Sequence, residues 1–274
     1  MPFDLGAPAR LSMTVTGDDG LPANAGAMAL TVTLPDGTSA VFDPVPPATP
    51  GQYKYTYATT QPGRHAVRWV ATGANATAYV DVFDVREAIP TWIISLADAR
   101  QQLKKVAADT SQDESIRRWI GATTAAVEWF VGPVAERTVT ETHSVGRVHA
   151  LALRQIPALA LTSVVSVLDG GPSYDVSALD LDGGDGIVRL KGGGYFYGPL
   201  RVTYTAGRRI VAENISAAAE LILQHLARTQ YGTGRPQLGV SDYDVNEPIP
   251  GLGYAIPNRA LQLLSPDQLP PGMA

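Results

Sequence analysis

Asp180, Asp182 and Asp185, interleaved with Gly183, Gly184 and Gly186, bring several hard oxygen ligands into one short stretch, the chemistry that holds a calcium ion. The stretch lacks the twelfth-position Glu and the flanking helices of an EF-hand, so a hairpin connection between strands is the reading it favours over a metal loop. Lys191-Gly192-Gly193-Gly194 has the glycines of a phosphate cradle. It leads into Tyr195-Phe196-Tyr197-Gly198-Pro199 rather than a helix N-terminus, and therefore reads as a turn. The four histidines, His65, His143, His149 and His225, are too dispersed for an HExxH zinc site, and no Gly-x-Ser-x-Gly elbow presents a serine nucleophile. His143 and His149 bracket Ser144–Val148 and read as flanks of a hairpin. His225 sits among apolar neighbours, where packing or a subunit contact accounts for it better than catalysis. The absence of cysteine excludes disulfide staples, thiolate metal sites and a cysteine nucleophile. No catalytic residue, metal ligand or cofactor is assigned.

The elements that would position such residues fall into two blocks. At 274 residues the chain is long enough for two domains of about 100–150 residues. Its 21 Lys and Arg against 26 Asp and Glu leave a net charge of −5, which argues against a basic nucleic-acid-binding surface over the whole molecule. The opening MPFDLGAPAR has no basic stretch followed by an apolar core, and no run of about 18 apolar residues occurs. Neither a secretory signal nor membrane insertion is expected.

Residues 1–88 read as an all-β domain, an immunoglobulin-like sandwich. Alternating runs at Leu11–Val15, Ala29–Leu34, Gln52–Ala58, Arg64–Ala71 and Ala76–Phe83 are separated by turn sequences such as Pro35-Asp36-Gly37 and Gln61-Pro62-Gly63. Trp69 falls on a core position of one run. After Ile89-Pro90 the period changes. Ser95 with Asp98 caps a helix over Leu96–Val106, and Ile116, Trp119, Ile120, Thr123, Val127, Phe130 and Val131 give a second helix one wide apolar face, ended by Gly132-Pro133. Strands return at Arg137–Glu141, Val148–Leu153, Ser163–Leu168, Gly186–Leu190 and Leu200–Tyr204. A third helix runs over Ile215–Tyr231 with Asn214 or Ser216 as its cap. Residues 232–274 read as an extended C-terminal arm, rich in Gly and Pro, with a short helix at Asn258–Leu264. The arm either wraps over its own domain or needs a partner surface to offset its ordering cost. Arg117 and Arg118 lie near Glu114, which fits either local pairing on the helix or a contact between protomers.

Several segments, in this order, resemble the head-tail connector, or adaptor, proteins of tailed bacteriophages. They are ISLADARQQLKK from Ile94, the helix from Asp113-Glu114 to Phe130-Val131-Gly132-Pro133, IPALALTSVVSV from Ile156, GPLRVTYTAGR from Gly198, NISAAAELILQHLARTQYG from Asn214 and IPNRALQLLSP from Ile256. The resemblance implies an α+β body, residues 89–231, in which helices carry an inserted or appended β region. It also implies a ring, usually of twelve copies, beneath the portal protein in the virion neck, assembled in the host cytoplasm. Such a ring extends the DNA channel and receives the next neck or tail-completion protein. Carried onto this chain, the portal-docking residues would be Tyr254, Ile256, Pro257, Asn258, Leu261 and Leu264. The subunit seam would draw on Arg117, Arg118, Trp119, His225 and Tyr231. Asp180, Asp182 and Asp185 would face the channel, where acidic groups let DNA slide and a basic lining would hold it. The β domain of residues 1–88 is additional to the compact family pattern. Two other classes stay open: a hydrolase with an unrecognised site, and a protein- or carbohydrate-binding module built on the β domain.

Overall fold

The computed structural model describes residues 2–105, 109–231 (side chains through Arg228) and 256–269. The chain divides into two compact units, Met1–Pro90 and Thr91–Ala274, so the split falls just beyond the expected boundary at residue 88.

The first unit is all β. Its strands are β1 (Pro8–Thr14), β2 (Ala27–Thr33), β3 (Ser39–Phe42), β4 (Pro47–Thr49), β5 (Gln52–Ala58), β6 (Gly63–Thr72) and β7 (Thr77–Val85). They form two antiparallel sheets, in the orders β1-β5-β4 and β3-β2-β6-β7. Alternation decides what each strand buries: Ala9, Leu11 and Met13 point inward from β1, and His65, Val67, Trp69 and Ala71 from β6. These residues join one core with Met28, Leu30, Val32, Tyr53, Tyr57 and Phe83, and Trp69 is about as deep as any of them, 1% exposed. β3 and β4 have no counterpart among the expected strands. β4 spans only three residues, begins with a proline and pairs at the sheet edge, where proline costs no ladder bond.

The second unit combines helices with a further β region. Helix α1 (Leu96–Gln102) is capped as expected: the Ser95 hydroxyl accepts from the Asp98 backbone N–H at 3.1 Å. It stops at Gln102 rather than running to 106, and Lys104 then takes a positive φ of 52°. Val106 lies outside the described residues. Helix α2 (Asp113–Val131) has the expected bounds. Between it and α3 (Glu213–Tyr231) come β8 (Arg137–Val148), β9 (Ala150–Ala152), β10 (Ala158–Ser166), β11 (Ser173–Tyr174), β12 (Leu179–Asp182), β13 (Ile187–Leu190) and β14 (Phe196–Ala206). They make a four-stranded sheet, β11-β10-β14-β8, and a three-stranded one, β12-β13-β9. The expected hairpin between His143 and His149 is absent, because β8 runs straight through Ser144–Val148 along β14. Asp180–Asp185 does form a hairpin connection, with Asp182 paired to Ile187. Asn214 and Ser216 are not caps: α3 starts at Glu213, and the Ala212 carbonyl receives the Ile215 and Ser216 N–H groups.

Helix α4 (Asn258–Leu264) closes the helical core. Ile116, Ile120 and Val127 of α2 meet Ile215, Ala218, Ile222 and Leu223 of α3, and Ile256, Ala260 and Leu264 complete the same cluster. At its end α2 must turn sharply into the β region. Gly132 does this with φ 71° and ψ −173°, and an added Cβ there would fall 2.2 Å from the Ile156 carbonyl oxygen. Gly132→Ala is therefore expected to cost about 2–4 kcal/mol. Gly121→Ala, in the middle of α2 with nothing within 4 Å of its would-be Cβ, should instead stabilise by about 0.5–1 kcal/mol. Chemical denaturation of the two variants beside the parent checks both signs.

Candidate functional site

The surface of the second unit is organised around the end of α2. The last four carbonyls of a helix have no intrahelical donor and must be satisfied from elsewhere. Here Arg208, arriving just after β14, donates Nη2 to the Val131 carbonyl at 2.9 Å and Nη1 to the Pro133 carbonyl at 3.0 Å. Burial pulls the Arg208 guanidinium below its usual value, and the nearby Asp267 and Glu128 carboxylates act against that. Glu128 itself accepts from the Val134 N–H at 2.9 Å and pairs with Arg137 at the start of β8. Asn214 on α3 donates to the Leu263 carbonyl at 2.8 Å and to Asp267 at 2.9 Å. Helices α2, α3 and α4 and strand β8 are thus tied at one corner.

A second polar cluster lies within the β region. The buried Glu141 carboxylate on β8 stands 3.0 Å from His143 Nε2 and accepts from the Arg154 backbone N–H at 3.1 Å. The Tyr204 hydroxyl on β14 accepts from the Gln155 N–H at 3.0 Å and neighbours Glu141. Burial, more than any other cause, pushes the Tyr204 phenol up to about 12, and the Glu141 carboxylate adds to the shift. A carboxylate, an imidazole and a phenol are the groups of acid–base catalysis. A groove of about 350 Å³ nearby is lined by Glu128, Trp129, Arg137, Arg154, Gln155 and Leu269, and Glu141, His143 and Tyr204 are not among its walls. What the cluster does in this fold is hold the segment after β9 against the β8–β14 pair, through Arg154 and Gln155.

The residues expected to dock or assemble are dispersed by the structure. Ile256 and Leu264 are spent in the chain's own core, Pro257 is buried, and Leu261 packs partly buried against the same cluster. Asn258 is exposed, and Tyr254 lies outside the described residues. The apolar face of α4 thus satisfies itself on α3, the wrapped alternative left open by composition. Trp119 is likewise a core residue, 8% exposed. Arg117 pairs locally with Glu114 at 3.0 Å, while Arg118 points into solvent. His225 is half-buried, and the Tyr231 side chain lies outside the described residues. Asp180, Asp182 and Asp185 are all exposed, with Arg189 paired across from Asp180. Among the described residues no group of three or more His, Asp or Glu is placed to hold a metal ion. No family model matches this chain, and no curated protein does.

The sequence reading passed over one residue. Trp129 is 58% exposed, on the side of α2 away from the core. It continues an outward stripe of Arg118, Ala122 and Ala125, all exposed and spaced by one helical turn. Its signal was legible: an indole at a position where the period of α2 calls for a polar side chain. Ile210, Leu168 and Tyr197 are also exposed on this unit, at 84%, 62% and 54%.

The Tyr204 shift gives a signed pH dependence. An unfolded tyrosine ionises near pH 10, whereas folded Tyr204 does so at about 12. The neutral phenol therefore supports the fold fully below about pH 10, and that support is lost as pH rises toward 12. Urea unfolding at about pH 9 and about pH 11 should show a smaller drop for Tyr204→Phe than for the parent. Equal drops would remove Tyr204 as the cause.

Proposed function

We propose that this chain is a structural virion protein, a head-tail connector whose copies form a ring between the portal and the next neck or tail component and extend the DNA channel. The observation that carries the reading is the architecture of the second unit: a helical body from α1, α2 and α3, a β region inserted between α2 and α3, and a C-terminal helix returned to the body. Helices carrying an inserted β region are what the resemblance in Ser95–Leu264 implies; the C-terminal helix, which it implies to dock on the portal, packs here on the chain's own body. A closed ring needs one patch on each copy to fit a different patch on the next, and no reacting group. The outward stripe of α2 supplies such a patch, because Ala122 and Ala125 allow close approach beside the anchoring Trp129. Each Å² of apolar surface covered there contributes about 25 cal/mol before the cost of immobilising the copies, and the contact is repeated at every seam.

In this reading the first unit is an immunoglobulin-like sandwich. Its sheet orders support that: β1-β5-β4 takes the places of strands B, E and D, and β3-β2-β6-β7 those of C′, C, F and G. The sandwich would sit outside the compact connector body as a module for neighbouring components. The exposed Asp180, Asp182 and Asp185 keep their place as the channel-facing group, moderated by Arg189.

Electron microscopy of the purified chain, alone and mixed with a portal, tests the reading. Rings of about twelve copies stacked on the portal are expected. Trp129→Ala should raise the concentration needed for ring formation at least about tenfold and leave thermal unfolding of the monomer unchanged. Particles whose neck holds this chain only as isolated monomers would overturn the proposal.

A further inference from the structure

The first unit leaves one sheet edge open in a specific way. β7 pairs with β6 on one side, and its other side is the end of the four-stranded sheet. Among the described residues the N-terminal segment covers only the last part of that edge: the Phe3 N–H donates to the Asp84 carbonyl at 2.8 Å, and the Arg86 N–H donates to the Phe3 carbonyl at 2.8 Å. Successive residues of a strand turn their backbone groups to opposite sides. The outward groups upstream of Asp84 therefore belong to Val82, Val80 and Ala78. The Val82 N–H agrees with this phase, because it is met by the Asp81 carboxylate at 2.8 Å rather than by β6. Proteins usually blunt such an edge with lysine, proline or a bulge. Thr77–Val82 contains no lysine or proline and pairs with β6 without a register shift. Apart from Thr77 and Asp81 its side chains are apolar and open, with Tyr79, Val80 and Val82 at 45%, 64% and 48% exposure.

We infer that this edge is a self-complementary interface, on which β7 of a second copy of the chain adds antiparallel with Val80 opposite Val80. The register follows from the backbone phase. Opposed residues of an antiparallel pair face the same side of the sheet, so a two-fold contact must be centred on a residue. Centring on Asp81 would oppose like charges, which is destabilising. Centring on Tyr79 would place Val82 against Ala76, outside the strand. Centring on Val80 pairs Ala78 with Val82 twice and uses all three open residues of both copies, forming roughly six main-chain hydrogen bonds. It also sets Tyr79 opposite Asp81 of the other copy. Within one copy the Tyr79 hydroxyl already reaches Asp81 at 3.3 Å, and pairing exchanges that bond for one across the interface while freeing the Val82 N–H. The contact is separate from the α2 stripe, so it stands or falls independently of the ring.

The chain has no cysteine, which makes a single-cysteine test clean. Residues in a hydrogen-bonded antiparallel pair have Cα atoms about 5.5 Å apart, within disulfide range. Full-length Val80→Cys under mild oxidation should run as a covalent dimer, while Arg68→Cys, exposed on the adjacent strand, should cross-link at least about tenfold less. Sedimentation in a Trp129→Ala background, which silences the α2 stripe, should show self-association weakened at least about tenfold by Val80→Lys with unchanged thermal unfolding. Val80→Cys cross-linking no better than Arg68→Cys, or Val80→Lys leaving association unaltered, would overturn the inference.

Discussion

The second unit depends on how the end of α2 is satisfied. A helix that stops inside a protein leaves carbonyls facing a low-dielectric interior, and each one without a donor costs about 1–3 kcal/mol. Arg208 answers the last of these carbonyls, at Val131, and the Pro133 carbonyl just beyond the helix with one planar group, while Glu128 reaches forward from the last turn to the Val134 N–H. Because only Gly207 separates Arg208 from β14, the β sheet cannot shift along the helix without breaking both bonds. Asn214 and Asp267 extend the constraint to α3 and to the segment after α4. The helical core is therefore closed by polar bonds at its rim as well as by apolar contact at its centre.

Much of the fold could be read from the chain. Periodicity fixed α2, because its apolar positions recur with little interruption, and Ser95 with Asp98 located the start of α1. The 180–185 connection and the Lys191–Gly194 turn were legible from glycine alone, and Gly193 and Gly194 indeed take positive φ values of 72° and 119°. What escaped was set by pairing between distant segments. β8 runs unbroken through His143 because β14 pairs with it all the way from Ala206 to Phe196, information that neither strand carries by itself. Asn214 looked like a cap because its side chain suits one, yet tertiary partners at Leu263 and Asp267 claimed it. Of the assembly residues, the sequence identified apolar character at Ile256, Leu264 and Trp119 correctly, but apolar character does not say whether a side chain serves its own core or a partner's.

That ambiguity is sharpest for the two tryptophans of α2. Trp119 and Trp129 are ten residues apart in one helix, far enough round its axis for the first to enter the core and the second to leave it. The hydrophobic effect acts equally on both, so an indole kept in water on a well-formed helix is unfavourable for the monomer and is relieved when something covers it. The first unit presents the same pattern in strand form, with a filled interior around Trp69 and an uncovered run along β7.

The unequal placement of these indoles also gives the molecule a built-in optical label. Trp69 and Trp119 sit away from solvent and Trp92 is half-buried, whereas Trp129 meets it, so the longest-wavelength part of the indole emission comes chiefly from the Trp129 side chain on α2. Covering that side chain would shift the emission toward the blue while the contribution of the other indoles stays unchanged, and the chain would report its own association by colour, with no dye attached.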